Sequence, residues 1–147
     1  MAEASKFDLI IVGSGPGGYV AAIRAAQLGM NVACIEAEEL GGVCLNIGCI
    51  PTKAMLTSAL LVNEMKDGAK HGIHASDVTF DLAPAQERSR GVAAQMAKGI
   101  GFLFKKNKVT HIQGYGRLTG PGAVEVTDAE GGTASYQADH IILALSL

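Results

Sequence analysis

The first apolar segment of the chain, DLIIVG at residues 8–13, is a continuous run in which apolar and polar positions do not alternate. Such a run is typical of a parallel strand that is covered on both faces. An Ala-rich helical pattern follows and extends to Leu28, where Gly29 ends it, and NVACIE at residues 31–36 has the pattern of a second strand. Strand, helix and strand in this order predict a βαβ unit.

A second helical pattern occupies residues 81–107. Four of its apolar side chains recur at helical spacing, and we expect them to form the face that packs into the core. These side chains are Val92, Met96, Ile100 and Leu103. Asp81 is a candidate cap for the start of this helix, and Asn107 is a candidate for its end.

Three later segments, at residues 109–118, 122–128 and 134–145, alternate apolar and polar residues and are separated by the turn sequences TGPG and AEGG. They predict three strands, of which the first two form a hairpin and the third returns to the main sheet. The whole pattern predicts an α/β fold, namely a doubly wound, Rossmann-like domain with a small antiparallel β insertion before its final strand.

Composition and charge limit the classes of protein to which this chain could belong. Hydrophobic residues make up 48% of the 147 residues and charged residues 18%, which fits one globular domain over residues 1–147. The net charge of -2, without a basic stripe, argues against a nucleic-acid partner. The N-terminal residues have no leader pattern, and no apolar stretch of about 18 residues stands out, so we expect no membrane association. The expected location is the cytoplasm, or an organellar matrix after removal of a presequence.

Three glycines at the predicted junction of strand and helix carry the first chemical signal. Gly13, Gly15 and Gly18 form G-x-G-x-x-G, in which the glycines allow a tight turn, a close approach to a pyrophosphate and close packing of the helix. Glu36 ends the second strand, where a carboxylate can accept hydrogen bonds from an adenosine ribose and would repel a 2′-phosphate. The alternative is an ordinary glycine turn. The pattern predicts dinucleotide binding but does not distinguish FAD from NAD.

The segment GVCLNIGCIPTK at residues 42–53 carries the second signal, because Cys44 and Cys49 lie five positions apart. In an ideal helix their Cα atoms would be about 8.6 Å apart, beyond the limit of about 7 Å for a disulfide. A bridge therefore needs a break in the helix, which Gly48 and Pro51 can provide. The alternatives are a structural disulfide or half of a metal site. A six-residue ring contributes little as a staple and the four histidines lack zinc spacing, so we predict a redox pair and no metal. Cys34, within a strand, is expected to be a small buried residue.

The longer segment GGVCLNIGCIPTKAML at residues 41–56 resembles the active-site segment of the flavin-dependent pyridine nucleotide-disulfide oxidoreductases. The βαβ unit that precedes it is similar to the FAD-binding start of that family, and the similarity extends to about Ala144. Leu45 and Ile50 are more similar to the dihydrolipoamide dehydrogenase branch than to the glutathione and mercuric reductases, which usually have Val at these places.

This resemblance implies roles for individual residues. FAD would be the dinucleotide, with its pyrophosphate on the glycine loop and its ribose on Glu36. Cys49 would lie next to the flavin, and Cys44 would exchange with the substrate. The resemblance adds four further candidates for cofactor binding: Gly41 and Gly42 by close backbone approach, Lys53 near flavin N5, and Gly116 near the adenine. A surface lysine and ordinary loop or turn glycines are the alternatives for these four.

The resemblance also implies partners and limits. The substrate would be dihydrolipoamide on a lipoyl-bearing protein of a 2-oxo acid dehydrogenase or glycine cleavage complex, with NAD as final acceptor and a homodimer as the full-length form. The NAD-binding, central and interface domains of the family are not recognisable here, and Leu145, Ser146 and Leu147 replace the family's Thr-Gly-Ser. We therefore expect this chain alone to be inactive. The alternatives are another flavin disulfide reductase or a non-catalytic flavin-binding module.

Overall fold

The computed structural model describes residues 5–145, and its strands form one six-stranded sheet in the order β3-β2-β1-β6-β5-β4. The strands are β1 (Ser5–Val12), β2 (Val32–Glu36), β3 (Thr110–Gln113), β4 (Tyr115–Gly120), β5 (Ala123–Thr127) and β6 (Thr133–Leu143). The helices are α1 (Pro16–Gln27), α2 (Gly42–Asn46), α3 (Cys49–Asp67) and α4 (Leu82–Asn107), with a 3-10 turn at Gly68–His71.

The predicted βαβ unit is confirmed. Strands β1 and β2 pair in parallel, with Leu9 opposite Val32, and α1 connects them. Strand β6 pairs in parallel with the other edge of β1, whereas β5 and β4 run antiparallel to their neighbours. The antiparallel insertion therefore precedes the final parallel strand, as predicted. Because β1, β2 and β6 are parallel, their carboxyl ends meet at one edge of the sheet, where ligands of open α/β sheets bind.

The two faces of the parallel strands pack against different elements. Alternate residues of β1 and β2 point to opposite faces. On one face, Leu9 and Ile11 pack with α1 and with Phe104 of α4. On the other face, Ile10 and Val12 pack against Val124 and neighbouring residues of the antiparallel strands. The helices thus cover one face and the curled antiparallel strands cover the other.

The segment at residues 109–118 is two strands, not the single strand that its alternation predicts. It breaks at Gly114, which has a φ of 144°. The first part, β3, pairs in parallel with β2, whereas the second part, β4, forms the predicted hairpin with β5. A Cβ at position 114 would lie 2.6 Å from the Thr127 carbonyl oxygen, so only glycine fits where the chain leaves the main sheet.

The core face of α4 was predicted incorrectly except at Ile100. Met96 and Leu103 are 43% and 39% exposed, and Val92 is only half-buried. The buried face begins with three small residues four positions apart, Ala85, Ser89 and Ala93, and continues with Ile100 and Phe104. Small side chains let α4 lie close to α3, and the buried Ser89 hydroxyl donates to the Pro51 carbonyl oxygen at 2.9 Å.

The ends of α4 agree better with the prediction. The carboxylate of Asp81 accepts a hydrogen bond from the Ala83 N–H at 3.0 Å, so it is the expected N-terminal cap. At the other end, Asn107 donates from its side chain to the Leu103 carbonyl oxygen at 2.8 Å. The residue that adopts the left-handed conformation and closes the helix is its neighbour, Lys108.

The expectation that no long apolar segment exists needs correction. Within residues 5–145, the helical segment Gly42–His71 is long and apolar enough to cross a membrane, with a mean hydropathy of 1.4. Only 17% of its most apolar stretch is buried inside the structure. Leu56, Leu60 and Leu61 are each more than half exposed on α3. The segment is not one continuous helix, because it is interrupted between α2 and α3.

Candidate functional site

The glycine loop forms a tight connection between β1 and α1. Gly13 has a φ of 100°, and α1 begins at Pro16. A Cβ on Gly18 would overlap the Gly13 carbonyl oxygen, and a Cβ on Gly13 would lie 2.5 Å from the Ala144 carbonyl oxygen. The loop is therefore pressed between the first turn of α1 and the end of β6. The free N–H groups at the start of α1 lie at this edge, in the arrangement that binds a phosphate.

Glu36 lies beside this loop at the end of β2. Its Oε2 accepts hydrogen bonds from the Ser14 N–H at 2.9 Å and from the Ser14 hydroxyl at 2.6 Å. Its Oε1 accepts from the Glu38 N–H at 3.0 Å. Partial burial by itself would raise the pKa of Glu36, but the hydrogen bonds from Glu38, Ser14 and Ala37 outweigh it and hold the pKa below its usual value. The carboxylate is therefore ionised at neutral pH.

The two cysteines lie on either side of a break between helices. Helix α2 ends at Asn46, Ile47 and Gly48 leave the helical conformation, and α3 begins at Cys49. This break brings the Cα atoms of Cys44 and Cys49 to 4.8 Å, and their sulfurs form a disulfide. Among residues 5–145, no group of three or more His, Cys, Asp or Glu side chains is placed to hold a metal ion.

Pro51 explains why the second helix can begin at Cys49. It is the third residue of α3, within the first turn, where a backbone N–H has no partner inside the helix. The first N–H to bond back is that of Thr52, which donates to the Gly48 carbonyl oxygen at 3.2 Å. Cys49 thus occupies the first position of α3, where unpaired N–H groups and the helix dipole favour a thiolate.

One open cavity of about 820 Å³ joins the glycine loop, Glu36 and the disulfide. This volume is in the range of sites for small molecules and cofactors, about 300–1,000 Å³. A Cβ on Gly42 would lie 2.8 Å from the Gly15 Cα, so glycine is required where the turn before α2 passes the loop. The predicted residues that line the cavity are Gly13, Gly15, Glu36, Gly42, Cys44 and Cys49. Cys49 is exposed and Cys44 is half-buried.

Four predicted cofactor residues do not line this cavity. Gly18 is buried beneath the loop, and Gly41 donates its N–H to Ser14 behind it. Lys53 is exposed one turn into α3. Gly116 lies on the opposite face of the sheet, where a Cβ would come within 2.9 Å of Val12, so close strand packing explains the glycine there. The roles of Lys53 and Gly116 toward a cofactor remain predictions.

Three residues of the site were not singled out by their spacing in the sequence. Ser14 is fully buried and bonds to Glu36. Asn46 donates from its side chain to the carbonyl oxygens of Leu40 at 3.1 Å and Gly42 at 3.0 Å, which fixes the turn before α2. Ala144 lines the cavity because β6 ends beside β1. Leu145, flagged for its departure from the family pattern, also lines the cavity, whereas Ser146 and Leu147 lie outside the described residues.

Comparison with known proteins identifies relatives of this arrangement. The family model described as "Pyridine nucleotide-disulphide oxidoreductase" matches residues 7–145. A protein named dihydrolipoyl dehydrogenase from Mycobacterium tuberculosis (strain H37Rv) is 50% identical over 141 residues, which are 95% of this chain and 30% of that protein. The mitochondrial dihydrolipoyl dehydrogenase of Pisum sativum is 47% identical over 139 residues, which are 93% of this chain and 28% of that protein.

A solved structure is also similar. The crystal structure of LpdA from Mycobacterium tuberculosis superposes with a TM-score of 0.82 at 26% sequence identity. The match covers 95% of this chain and 31% of that one. The chain thus spans about 30% of the length of these relatives.

Proposed function

This chain belongs to the pyridine nucleotide-disulphide oxidoreductase family, and on that premise we propose that it forms the FAD-binding, redox-disulfide part of a dihydrolipoamide dehydrogenase. The observation that carries the proposal is that the Cys44–Cys49 disulfide and the glycine loop line the same cavity. A thiol released from this disulfide would lie next to a dinucleotide bound on the loop. The oxidation of dihydrolipoamide with NAD belongs to the whole protein and is proposed with it.

The residues of the cavity fit FAD. The glycine loop and the start of α1 would hold the pyrophosphate, and the ionised Glu36 would accept hydrogen bonds from the ribose hydroxyls. The flavin end would then extend toward Cys49. When bound, FAD supplies a two-electron acceptor that can pass electrons from a thiol to a nicotinamide cofactor.

The disulfide can carry out the exchange with a dithiol by itself. A thiolate of dihydrolipoamide attacks Sγ of Cys44, which forms a mixed disulfide and releases Cys49 as a thiolate. The second thiol of dihydrolipoamide then displaces Cys44, so the products are lipoamide and two protein thiols. Cys49 is the better leaving group, because the start of α3 stabilises its negative charge.

The names of the relatives also support partners and location. We propose a lipoyl-bearing protein as the source of the dithiol and a homodimer as the form of the whole enzyme. The relatives include a protein named as mitochondrial and a bacterial one. A bacterial cytoplasm or an organellar matrix is the compartment that we propose.

Anaerobic exchange with dihydrolipoamide tests the proposed chemistry. The oxidised chain is mixed with an excess of dihydrolipoamide, quenched with an alkylating reagent and analysed by mass spectrometry. We expect one lipoamide per chain, with Cys44 and Cys49 both alkylated, and no lipoamide from the Cys44→Ser variant.

Cys34 provides an internal control in the same experiment. It is fully buried, and burial, followed by repulsion from Glu36, raises its pKa to about 12. It should therefore remain unalkylated in the native chain. A Cys44–Cys49 bond that stays closed under these conditions contradicts the proposed role of the pair.

A further inference from the structure

The buried hydroxyl of Ser14 lies where three parts of the site meet. Ser14 belongs to the glycine loop and is fully buried. Its hydroxyl donates to Oε2 of Glu36 at 2.6 Å and accepts from the Gly41 N–H at 3.2 Å. One side chain thus connects the phosphate loop, the ribose carboxylate and the turn that leads into the cysteine helix α2.

The hydrogen bonds divide the two oxygens of Glu36 between different tasks. Oε2 accepts both the N–H and the hydroxyl of Ser14, so its two lone pairs are used within the protein. Oε1 accepts only backbone N–H groups, of which that of Glu38 lies at 3.0 Å, and no side-chain donor within residues 5–145 bonds to it. It is therefore the oxygen left for a ribose hydroxyl. The Ser14 hydroxyl therefore fixes the rotation of the carboxylate of Glu36, a residue that lines the cavity.

We propose that Ser14 is a positioning residue that orients Glu36 so that Oε1 accepts a hydroxyl of the dinucleotide ribose. This inference rests on the proposed function, because it assigns a task within the same dinucleotide site. Ser14 lines the cavity, but its hydroxyl is already bonded to Glu36 and to the Gly41 N–H, so its effect on binding passes through Glu36.

The same contact sets the lowest pH at which the site binds FAD, which we call the acid limit of binding. A hydrogen bond to the ionised form lowers a pKa, so the loss of the hydroxyl should move the pKa of Glu36 up toward its usual value. Glu36 accepts ribose hydroxyls best as a carboxylate. Binding should therefore persist to lower pH in the wild type and weaken at a higher pH in Ser14→Ala.

The substitution Ser14→Ala removes none of the neighbouring titratable groups. They are His111 on β3, Cys34 on β2, and Glu38 and Glu39 in the turn after β2. The Gly41 N–H also keeps a partner in Ser14→Ala, because it donates to the Ser14 backbone carbonyl oxygen at 3.1 Å. The turn before the cysteines should therefore stay in place.

Two measurements on the 147-residue chain and its Ser14→Ala variant test the inference. Ser14→Thr is the variant that keeps a hydroxyl, and Ser58→Ala, in α3, is the matched control. The first measurement is the pKa of Glu36 without ligand, from carboxyl carbon NMR shifts assigned with Glu36→Gln. The second is the affinity for FAD as a function of pH. Reduction of the disulfide by dithiothreitol reports whether the turn before α2 is intact.

We expect Ser14→Ala to raise the pKa of Glu36, to weaken FAD binding about tenfold at neutral pH, and to move the acid limit of binding upward. Ser14→Thr and Ser58→Ala should leave the pKa of Glu36, the affinity for FAD and the acid limit of binding near wild type. In all three variants the rate of disulfide reduction should change less than about twofold. A Ser14→Ala variant with an unchanged pKa of Glu36, or with weaker binding but the same acid limit, overturns the inference.

Failure of the proposed function gives a different result. A wild-type chain that does not bind FAD contradicts the FAD assignment, while the pKa of Glu36 in the ligand-free variants still tests the contact with Ser14. If Ser14→Ala does not fold, the comparison of Ser14→Thr with the wild type decides. A pKa of Glu36 that rises in Ser14→Thr despite its hydroxyl then counts against the inference.

Discussion

Single atoms decide where the glycine loop can lie. Gly18 and Gly17 are neighbours in the first turn of α1 with opposite surroundings. A Cβ on Gly18 would overlap the Gly13 carbonyl oxygen, whereas a Cβ on Gly17 would meet nothing within 4 Å. The sequence motif includes Gly18 and not Gly17, and the structure explains why only Gly18 of these two must be glycine.

These neighbours provide a matched pair for a stability test. Gly18→Ala should lower the free energy of unfolding by at least about 2 kcal/mol, because backbone atoms of the loop have to move. Gly17→Ala should leave it unchanged or raise it by up to about 1 kcal/mol, because alanine is the better helix former. Urea unfolding of the oxidised chain measures both changes. Equal losses in the two variants would show that Gly18 is not the close contact described here.

Residue types and spacing in the sequence predict which residues form the site better than they predict the contacts between those residues. The cysteine spacing and the positions of Gly48 and Pro51 predict a break in the helix, and the break is present. The role of Ser14 could not be predicted, because its contact with Glu36 depends on two strands that are adjacent in space and far apart in sequence. The same holds for Gly116, whose neighbours Val12 and Ile35 come from the main sheet.

At the scale of elements, small side chains set the position of α4. A search for large apolar residues selects Met96 and Leu103, but these are partly exposed. The face that packs inward contains Ala85, Ser89 and Ala93, which a hydrophobicity pattern ranks low although they allow close approach of helices. The existence and the ends of α4 were predictable from the sequence. Its buried face was not, because that face depends on which neighbouring element α4 packs against.

Ala93 and Ala94 test the orientation of α4. Ala93 is 4% exposed, and Ala94 next to it is on the exposed side. Ala93→Leu should lower the free energy of unfolding by about 1–3 kcal/mol through overpacking, while Ala94→Leu should change it by less than about 0.5 kcal/mol. Thermal or urea unfolding measures both. A larger loss in Ala94→Leu than in Ala93→Leu would contradict the assignment of the face with Ala85, Ser89 and Ala93 to the core.

At the scale of the whole molecule, the cavity is assembled from three distant segments of the chain. The glycine loop and residues 36–49 were predictable from motifs. The third segment, Ala144 and Leu145, enters the cavity because β6 runs parallel to β1 and ends at the same edge. The sheet order that brings them there, with the antiparallel strands on the opposite side of β6, does not follow from local patterns.

The central claim is that this cavity binds FAD by its adenosine diphosphate half, and competition binding tests it most directly. Equilibrium dialysis of the oxidised 147-residue chain against FAD should give one saturable site per chain. ADP should displace FAD from it, because ADP carries the same pyrophosphate and ribose. ADP that bears a 2′-phosphate should not compete, since Glu36 is ionised and repels it. Absence of saturable binding, or equal displacement by both nucleotides, would contradict the account.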